Sequence, residues 1–477
     1  MTIKFGTDGW RAVMCEEFTF ANVRRVTRAI VDYLREAGLA GRGIIIGYDT
    51  RFLAERFAAV AADVCAVAGV PVYLTEGDAP TPVVAHAILD RGTAGALMFT
   101  ASHNPPEYQG LKFIPDYAGP AAPEITRRIE DFLAGGDLGT LGPGRSAPAS
   151  PVPGQPAPVT AFDPKPAYLT HLRALVDLAA VRAAGLRVLY DPMFGTGRRY
   201  LPDLLEEAGC RLTVIHGERD PLFGGETPEP IERHLGELIS RVRAGEADLG
   251  LATDGDADRF GIIDRDGSYL SANQIIPLLF WHLVRKGVPG GVVRTVATTH
   301  LLDRLAARFG RPVTETPVGF KYICQVMREK PICIGGEESG GLSIGGHLPE
   351  KDGVLACLLV AELRAVAGRP LRAILAELME EVGPAFSRRI DLRYAETEKR
   401  AIMRRLQEGA PAEIGGVLVT SVNRTDGVKL ILADGSWVLV RASGTEPLLR
   451  VYVEASSPEM LERRIEDARA VLTSYLR

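Results

Sequence analysis

The sequence predicts an α/β protein of several domains: three α/β units followed by a smaller α+β unit. Three observations carry this. The 477 residues exceed what one hydrophobic core serves, since domains commonly hold about 100–150 residues. Short, continuously apolar runs alternate with segments of helical periodicity through most of the chain, as expected of strands covered on both faces. Near the end, "GVLVTSV", "GVKLIL", "WVLVRAS" and "LLRVYVEAS" instead follow one another across turn residues, which predicts an antiparallel sheet.

In chain order, Val23, Val26, Ile30 and Leu34 make one stripe of a helix over 22–36, stopped by Gly38. "GIIIGYD" (43–49) reads as a strand, and a second helix spans about 52–68. Between Gly135 and Pro166, eight prolines without apolar periodicity predict an extended linker or long surface excursion. Beyond it come a helix over 167–184, a strand over 187–191 and a helix ending near Gly209. Further boundaries near 288–291 and 383–384 give domains over 1–160, 161–288, 289–384 and 385–477. Ser457 followed by Pro458 starts the last helix with a cap residue and proline at the first position.

With 46% apolar and 24% charged residues the composition is that of a soluble globular protein. The net charge of −5 is spread without a basic tail or acidic block, so neither nucleic acid nor a membrane surface is expected as a partner. Cys15, Cys65, Cys210, Cys324, Cys333 and Cys357 occur singly, without C-x-x-C pairs, which fits buried free thiols in a reducing compartment. "MTIKFGTDGWRA" lacks the plan of a signal peptide and no apolar run has the length of a membrane span. A cytoplasmic protein is expected.

Four predicted strands run into polar loops: "GALMF" into "TASHNPPEYQG", "DLGLA" into "TDGDADRFG", "PICIG" into "GEESGG", and "WVLV" into "RASGTEP". Ligands of open α/β sheets bind beyond the carboxyl ends of strands. Singly, each loop reads equally well as a turn; the recurrence favours a site. Asp254, Asp256 and Asp258 repel one another unless a cation neutralises them. An EF-hand needs Gly at its sixth position and Glu at its twelfth, where Arg259 and Arg265 stand, so Mg²⁺ is expected; a solvated acidic hairpin is the plainer alternative. Ser102, stiffly presented before Pro105 and Pro106, is a candidate phosphoryl carrier beside such a metal. Arg259 and Lys112 would offset the dianion, although Lys112 by position reads as a solvated strand-edge lysine. Arg441, Ser443, Gly444 and Thr445 suit an anion-binding turn that seats a phosphate without reacting, and Glu337 with Ser339 suits sugar hydroxyls.

These motifs, with "FGTDGWRA", "GYDTR", "TPVGFKYI" and "HLPEKDG", resemble the α-D-phosphohexomutase family over the whole chain. The resemblance implies three similar α/β domains with mixed sheets and a C-terminal domain of another fold around a central cleft. It implies phosphorylation of Ser102 and Mg²⁺ held by Asp254, Asp256, Asp258 and a phosphoserine oxygen. Arg11, His103, Lys112 and Arg259 would line the transfer site, with Lys112 a candidate for proton transfer. Glu337 and Ser339 would hold sugar hydroxyls, Arg441, Ser443, Gly444 and Thr445 the non-reacting phosphate, and Lys321 and Lys351 would lie near substrate. Gly341 stands where some members carry a histidine; His347 is expected to approach the same region.

The implied reaction is interconversion of hexose 1-phosphate and hexose 6-phosphate through a 1,6-bisphosphate that turns end for end, with hexose 1,6-bisphosphate as activator. "GEES" with "H-x-x-EKDG" looks more like the phosphoglucomutases than the glucosamine-phosphate branch, so glucose is expected first and mannose second. A glucose 1,6-bisphosphate synthase drawing on another sugar bisphosphate is the alternative; a phosphatase or a non-enzymatic sugar-phosphate sensor carries less weight. The protein is expected to act as monomer or homodimer.

Overall fold

The apolar stripe read from the sequence does form one helix face. β1 (Trp10–Val13) leads into α1 (Phe20–Glu36), where Thr19 accepts the Asn22 N–H as cap. The computed structural model describes residues 3–6, 8–135, 156–443 and 447–476. Two units divide the chain: one comprises Met1–Ser271, Met327–Glu329 and Ser339–Pro370, the other Ala272–Val326, Lys330–Glu338 and Leu371–Arg477.

In the first unit β2 (Ile44–Tyr48), α2 (Ala54–Val67), β3 (Val72–Thr75), α3 (Thr81–Arg91), β4 (Gly95–Phe99), β5 (Tyr108–Pro115), α4 (Pro123–Gly135) and β6 (Val159–Phe162) follow. The sheet order is β1-β5-β4-β2-β3-β6. β2 runs parallel to β3 and β4, and β3 to β6, whereas β5 is antiparallel to both β4 and β1. The sheet is therefore mixed. Val23, Val26, Ile30 and Leu34 pack with Ile44, Ile46, Phe57, Leu97, Phe99 and Phe113 in its core, each such burial contributing about 1.5–3 kcal/mol. The parallel neighbours β2 and β4, with Tyr48 opposite Phe99, place the loops after them side by side.

The second sheet combines β7 (Arg187–Asp191), β8 (Arg211–Val214), β9 (Leu249–Thr253), β10 (Phe260–Asp264) and β11 (Tyr269–Leu270) in the order β11-β10-β9-β7-β8. β7 is parallel to β8 and β9; β9 and β10 form an antiparallel hairpin. Two expectations are corrected here. The proline-rich stretch is not all excursion, because Val159–Phe162 adds an edge strand beside β3; residues 136–155 lie outside the described residues. The helix expected over 167–184 is two, α5 (Lys165–Leu175) and α6 (Leu178–Ala184), because Val176 is extended and Asp177 caps the second by accepting the Ala180 N–H.

In the second unit β12 (Gly291–Thr295) is parallel to β13 (Val313–Thr316) and β14 (Ile332–Gly336). Its C-terminal part is an antiparallel sheet, with strands in the order 386–393, 448–455, 437–442, 428–432, 417–423 and 413–414. Helices Glu396–Glu408 and Pro458–Ser474 cover it through Ile402, Leu406, Leu461 and Ile465. Ser457 caps the last helix as expected. The fold class is thus three α/β domains with mixed sheets and a C-terminal α+β domain. Among the described residues no helix is long and apolar enough to cross a membrane.

Candidate active site

β4 ends at Phe99, and the chain then turns sharply. Thr100 Oγ1 accepts the Ser102 N–H at 2.8 Å, and Ser102 takes φ +50°, a left-handed conformation that a serine adopts only when its surroundings impose it. The buried Ser102 Oγ donates to Asp254 Oδ2 at 3.0 Å and lies 3.2 Å from His103 Nδ1. Arg11 holds the loop from the side, donating to Asn104 Oδ1 at 2.8 Å.

Asp254, Asp256 and Asp258 occupy the hairpin between β9 and β10. Their side chains are buried, with ligand atoms all within 4.8 Å of one another. The backbone turns on Ala257 at φ +54°. The Arg259 N–H donates to Asp254 Oδ1 at 3.0 Å, and Thr81 Oγ1 to Asp256 Oδ2 at 2.5 Å. Asp256 Oδ1 and Asp258 Oδ1 are buried without a hydrogen-bond partner. Orphaned, clustered carboxylate oxygens are what a hard divalent cation requires, so the donor set fits Mg²⁺.

Lys112 partly offsets this charge. It is not a solvated strand-edge lysine: β5 lies between β1 and β4, and its ammonium is buried 2.9 Å from Asp256, 3.0 Å from Asp258 and 2.9 Å from Asp8. Burial opposes ionisation of Asp256 and Asp8, but Lys112 overrides it and holds both below the ordinary carboxylate range. Burial likewise opposes the charge on Lys112, yet the carboxylates around it push its pKa up. Asp254 behaves oppositely: burial, then Asp256 and Asp258, raise it well above the usual range. Burial and the cations Arg259, Arg11, Lys112 and Arg51 push His103 well down.

Lys351 also arrives here, 3.4 Å from Asp258, 3.6 Å from Asp8 and 2.9 Å from Glu350. Burial pushes Glu350 up to about 7. Arg259 lies 3.8 Å from Glu229 and 4.0 Å from Asp258. The first unit therefore brings together Ser102, His103, Lys112, Arg11, Arg259, the three aspartates and Lys351. His347 does not offer a free nitrogen. Its side chain is buried, with Nδ1 2.9 Å from His171 Nε2 and Nε2 2.9 Å from Asp352 Oδ2; Asp352 in turn caps the helix Gly353–Ala367.

Ser339 belongs to the first unit, and Glu337, Lys321, Arg441 and Ser443 to the second. There Glu337 is buried directly after β14, and its neighbour Glu338 accepts from Thr295 Oγ1 at 3.0 Å. Lys321 follows the start of the helix Phe320–Glu329. Arg441 pairs with Asp426 at 2.7 Å, and Asp426 also accepts the Val318 N–H at 2.9 Å. The buried Ser443 donates its N–H to Leu448 O at 3.0 Å, and its carbonyl accepts from Lys399 at 3.0 Å. Gly444 and Thr445 lie outside the described residues. Sequence reasoning missed Asp8, Asp49, Arg51, Thr81 and Glu350. All but Thr81 stand inside quoted motifs, which was the available signal.

Domain models of the phosphoglucomutase/phosphomannomutase family match residues 2–139 (alpha/beta/alpha domain I), 166–267 (domain II), 271–382 (domain III) and 393–471 (C-terminal domain). A phosphoglucomutase/phosphomannomutase of Thermococcus kodakarensis is 31% identical over 462 residues, covering 97% of this chain and 96% of that protein. A phosphoglucomutase of Komagataeibacter xylinus is 30% identical, with coverages of 95% and 87%. A crystal structure from Thermus thermophilus, named provisionally as a phosphomannomutase, superposes with a TM-score of 0.85 at 35% identity over 99% of both chains.

Proposed function

Because the chain belongs to the phosphoglucomutase/phosphomannomutase family, whose members are mutases, we propose that it interconverts hexose 1-phosphate and hexose 6-phosphate. Glucose is the preferred sugar and mannose is accepted. The observation that supports this most is Ser102 Oγ at 3.0 Å from Asp254, in a hairpin with two further aspartates that carry orphaned buried oxygens. Asp254, Asp256, Asp258 and a phosphoserine oxygen would hold Mg²⁺, which when bound supplies a Lewis acid for the phosphoryl oxygens.

Ser102 carries the phosphoryl group and gives it to the free hydroxyl of the bound monophosphate: the serine O–P bond breaks and a sugar O–P bond forms. Arg259 and Arg11 offset charge on the moving group, and Lys112 relays the proton, giving one to the leaving serine oxygen and recovering the one that the attacking sugar hydroxyl gives up. Arg441, Ser443, Gly444 and Thr445 anchor the phosphate that does not react. Glu337 and Ser339 grip hydroxyls of the sugar, and Lys321 and Lys351 add positive charge near it. The 1,6-bisphosphate then returns its other phosphoryl group to Ser102, and added hexose 1,6-bisphosphate activates by loading the serine. The reaction proceeds in the cytoplasm.

Glucosamine phosphate is a second reading with one observation behind it: relatives in Methanopyrus kandleri and Methanothermobacter thermautotrophicus, 31% and 30% identical, are named probable phosphoglucosamine mutases. A coupled assay with glucose, mannose and glucosamine 1-phosphates, with and without catalytic glucose 1,6-bisphosphate, separates these. Fastest turnover is expected on glucose 1-phosphate and only with the bisphosphate. Preference for the amino sugar would move the assignment. Net bisphosphate formation from fructose 1,6-bisphosphate and glucose 1-phosphate would make the protein a synthase.

A further inference from the structure

Arg51 lies in the loop between β2 and α2, its side chain fully buried. Since β2 runs beside β4, this loop adjoins the one that carries Ser102. Pro105 and Pro106 have no N–H, so that loop has more carbonyl groups than donors to satisfy them. One guanidinium makes up the difference. Nη2 donates to the carbonyls of Ser102 at 2.7 Å and Asn104 at 2.6 Å, and Nη1 to those of Pro105 at 2.8 Å and Tyr108 at 3.0 Å.

The fork is itself held in place. Asp49 Oδ2 lies 3.2 Å from Arg51 Nε, and Asp49 Oδ1 accepts the Arg51 N–H at 2.9 Å. The Phe223 ring covers the guanidinium at 4.9 Å. The Asp49 N–H donates to Phe99 O at 2.9 Å, which ties the pair to the last residue of β4.

We propose that Arg51 is a positioning residue for phosphoryl transfer: by clamping the Ser102 carbonyl and three neighbours, it keeps Ser102 left-handed and its Oγ on Asp254. This rests on the reading of Ser102 as phosphoryl carrier. A lysine keeps the charge but lacks a planar fork with enough donors for all four carbonyls, so the released serine relaxes toward negative φ.

The test uses full-length wild type, Arg51→Lys and Asp49→Asn, the last keeping Arg51 but removing its counter-ion. Each is mixed with radiolabelled glucose 1,6-bisphosphate and Mg²⁺ in a rapid-quench experiment, and the labelled residue is identified by peptide mass spectrometry. Arg51→Lys should load Ser102 to full amplitude at a rate constant about 100-fold lower. Its kcat should fall in step, and KM for glucose 1-phosphate should stay within about threefold. Asp49→Asn should show a smaller rate loss of the same kind, and it carries the test if Arg51→Lys does not fold. Wild-type rate constants, or a loss confined to amplitude, would overturn the proposal and leave the mutase reading standing. Absence of label on Ser102 in the wild type would remove both.

Discussion

Replacing Lys112 by methionine keeps an unbranched side chain of nearly the same length and deletes one charge from the centre of the cluster. In the wild type the ammonium sits about equally close to three carboxylates, 2.9 Å from Asp8, 2.9 Å from Asp256 and 3.0 Å from Asp258, and is itself buried. Removing one partner of a buried ion pair costs about 3–5 kcal/mol, because the remaining charge is left uncompensated. The sign with pH follows from the carboxylates. Lys112 holds Asp8 and Asp256 below their ordinary range. Its contribution is therefore present above the unfolded carboxylate pKa of about 3.9 and lost as pH falls through the native values. Urea unfolding in chelator, followed by tryptophan fluorescence, to which Trp10, paired with Leu111 in β5, contributes, should show the loss at pH 7 and most of it still at pH 4, where the native carboxylates remain ionised. Added Mg²⁺ should stabilise the variant more than the wild type, since it replaces the missing cation. Equal stability of the two proteins at pH 7, or a deficit that has vanished by pH 4, would refute the reasoning.

Two further outcomes follow. A methyl group at Gly255 would lie 3.0 Å from Ser102 O and 3.3 Å from Pro228 Cγ, so Gly255→Ala should cut kcat about tenfold by displacing the serine while moving the melting temperature little; unchanged kcat would show that the two loops are not in register. His171 is pushed down to about 4 by burial, then by His347 and His86; with an unfolded value near 6.5, its contribution is present above that pH and lost as pH falls through 4. His171→Gln should accordingly shift the acid unfolding midpoint downward, and superimposable acid titrations of variant and wild type would contradict this.

Strand identity was legible where a β-branched run such as "GIIIG" had no polar break, and the aspartate hairpin was legible because three carboxylates at alternating positions demand a counter-charge. Strand direction was not, since the same apolar pattern serves β4 in parallel beside β2 and in antiparallel beside β5. Val159–Phe162 was hidden because four residues in a proline-rich stretch carry too little pattern, and its place is fixed by β3. The break at Val176 is hidden because Leu169, Leu172 and Val176 fall at i, i+3 and i+7 and carry one helical stripe up to it, although Asp177 marks a cap. The position of Lys112 in the sequence suggests a solvated edge, but its strand neighbours rather than its sequence neighbours bury it. Arg51 and Thr81 escaped for the same reason: each acts on residues far along the chain that only the sheet order brings near.

The central claim is that one serine carries the phosphoryl group. Wild type and Ser102→Ala should be incubated with glucose 1,6-bisphosphate and Mg²⁺, mapped by peptide mass spectrometry, and assayed with glucose 1-phosphate. The account predicts a single phosphoryl group on Ser102 in the wild type, none in the variant, and no mutase turnover by the variant. Phosphate on a different residue, or undiminished turnover without Ser102, would contradict it.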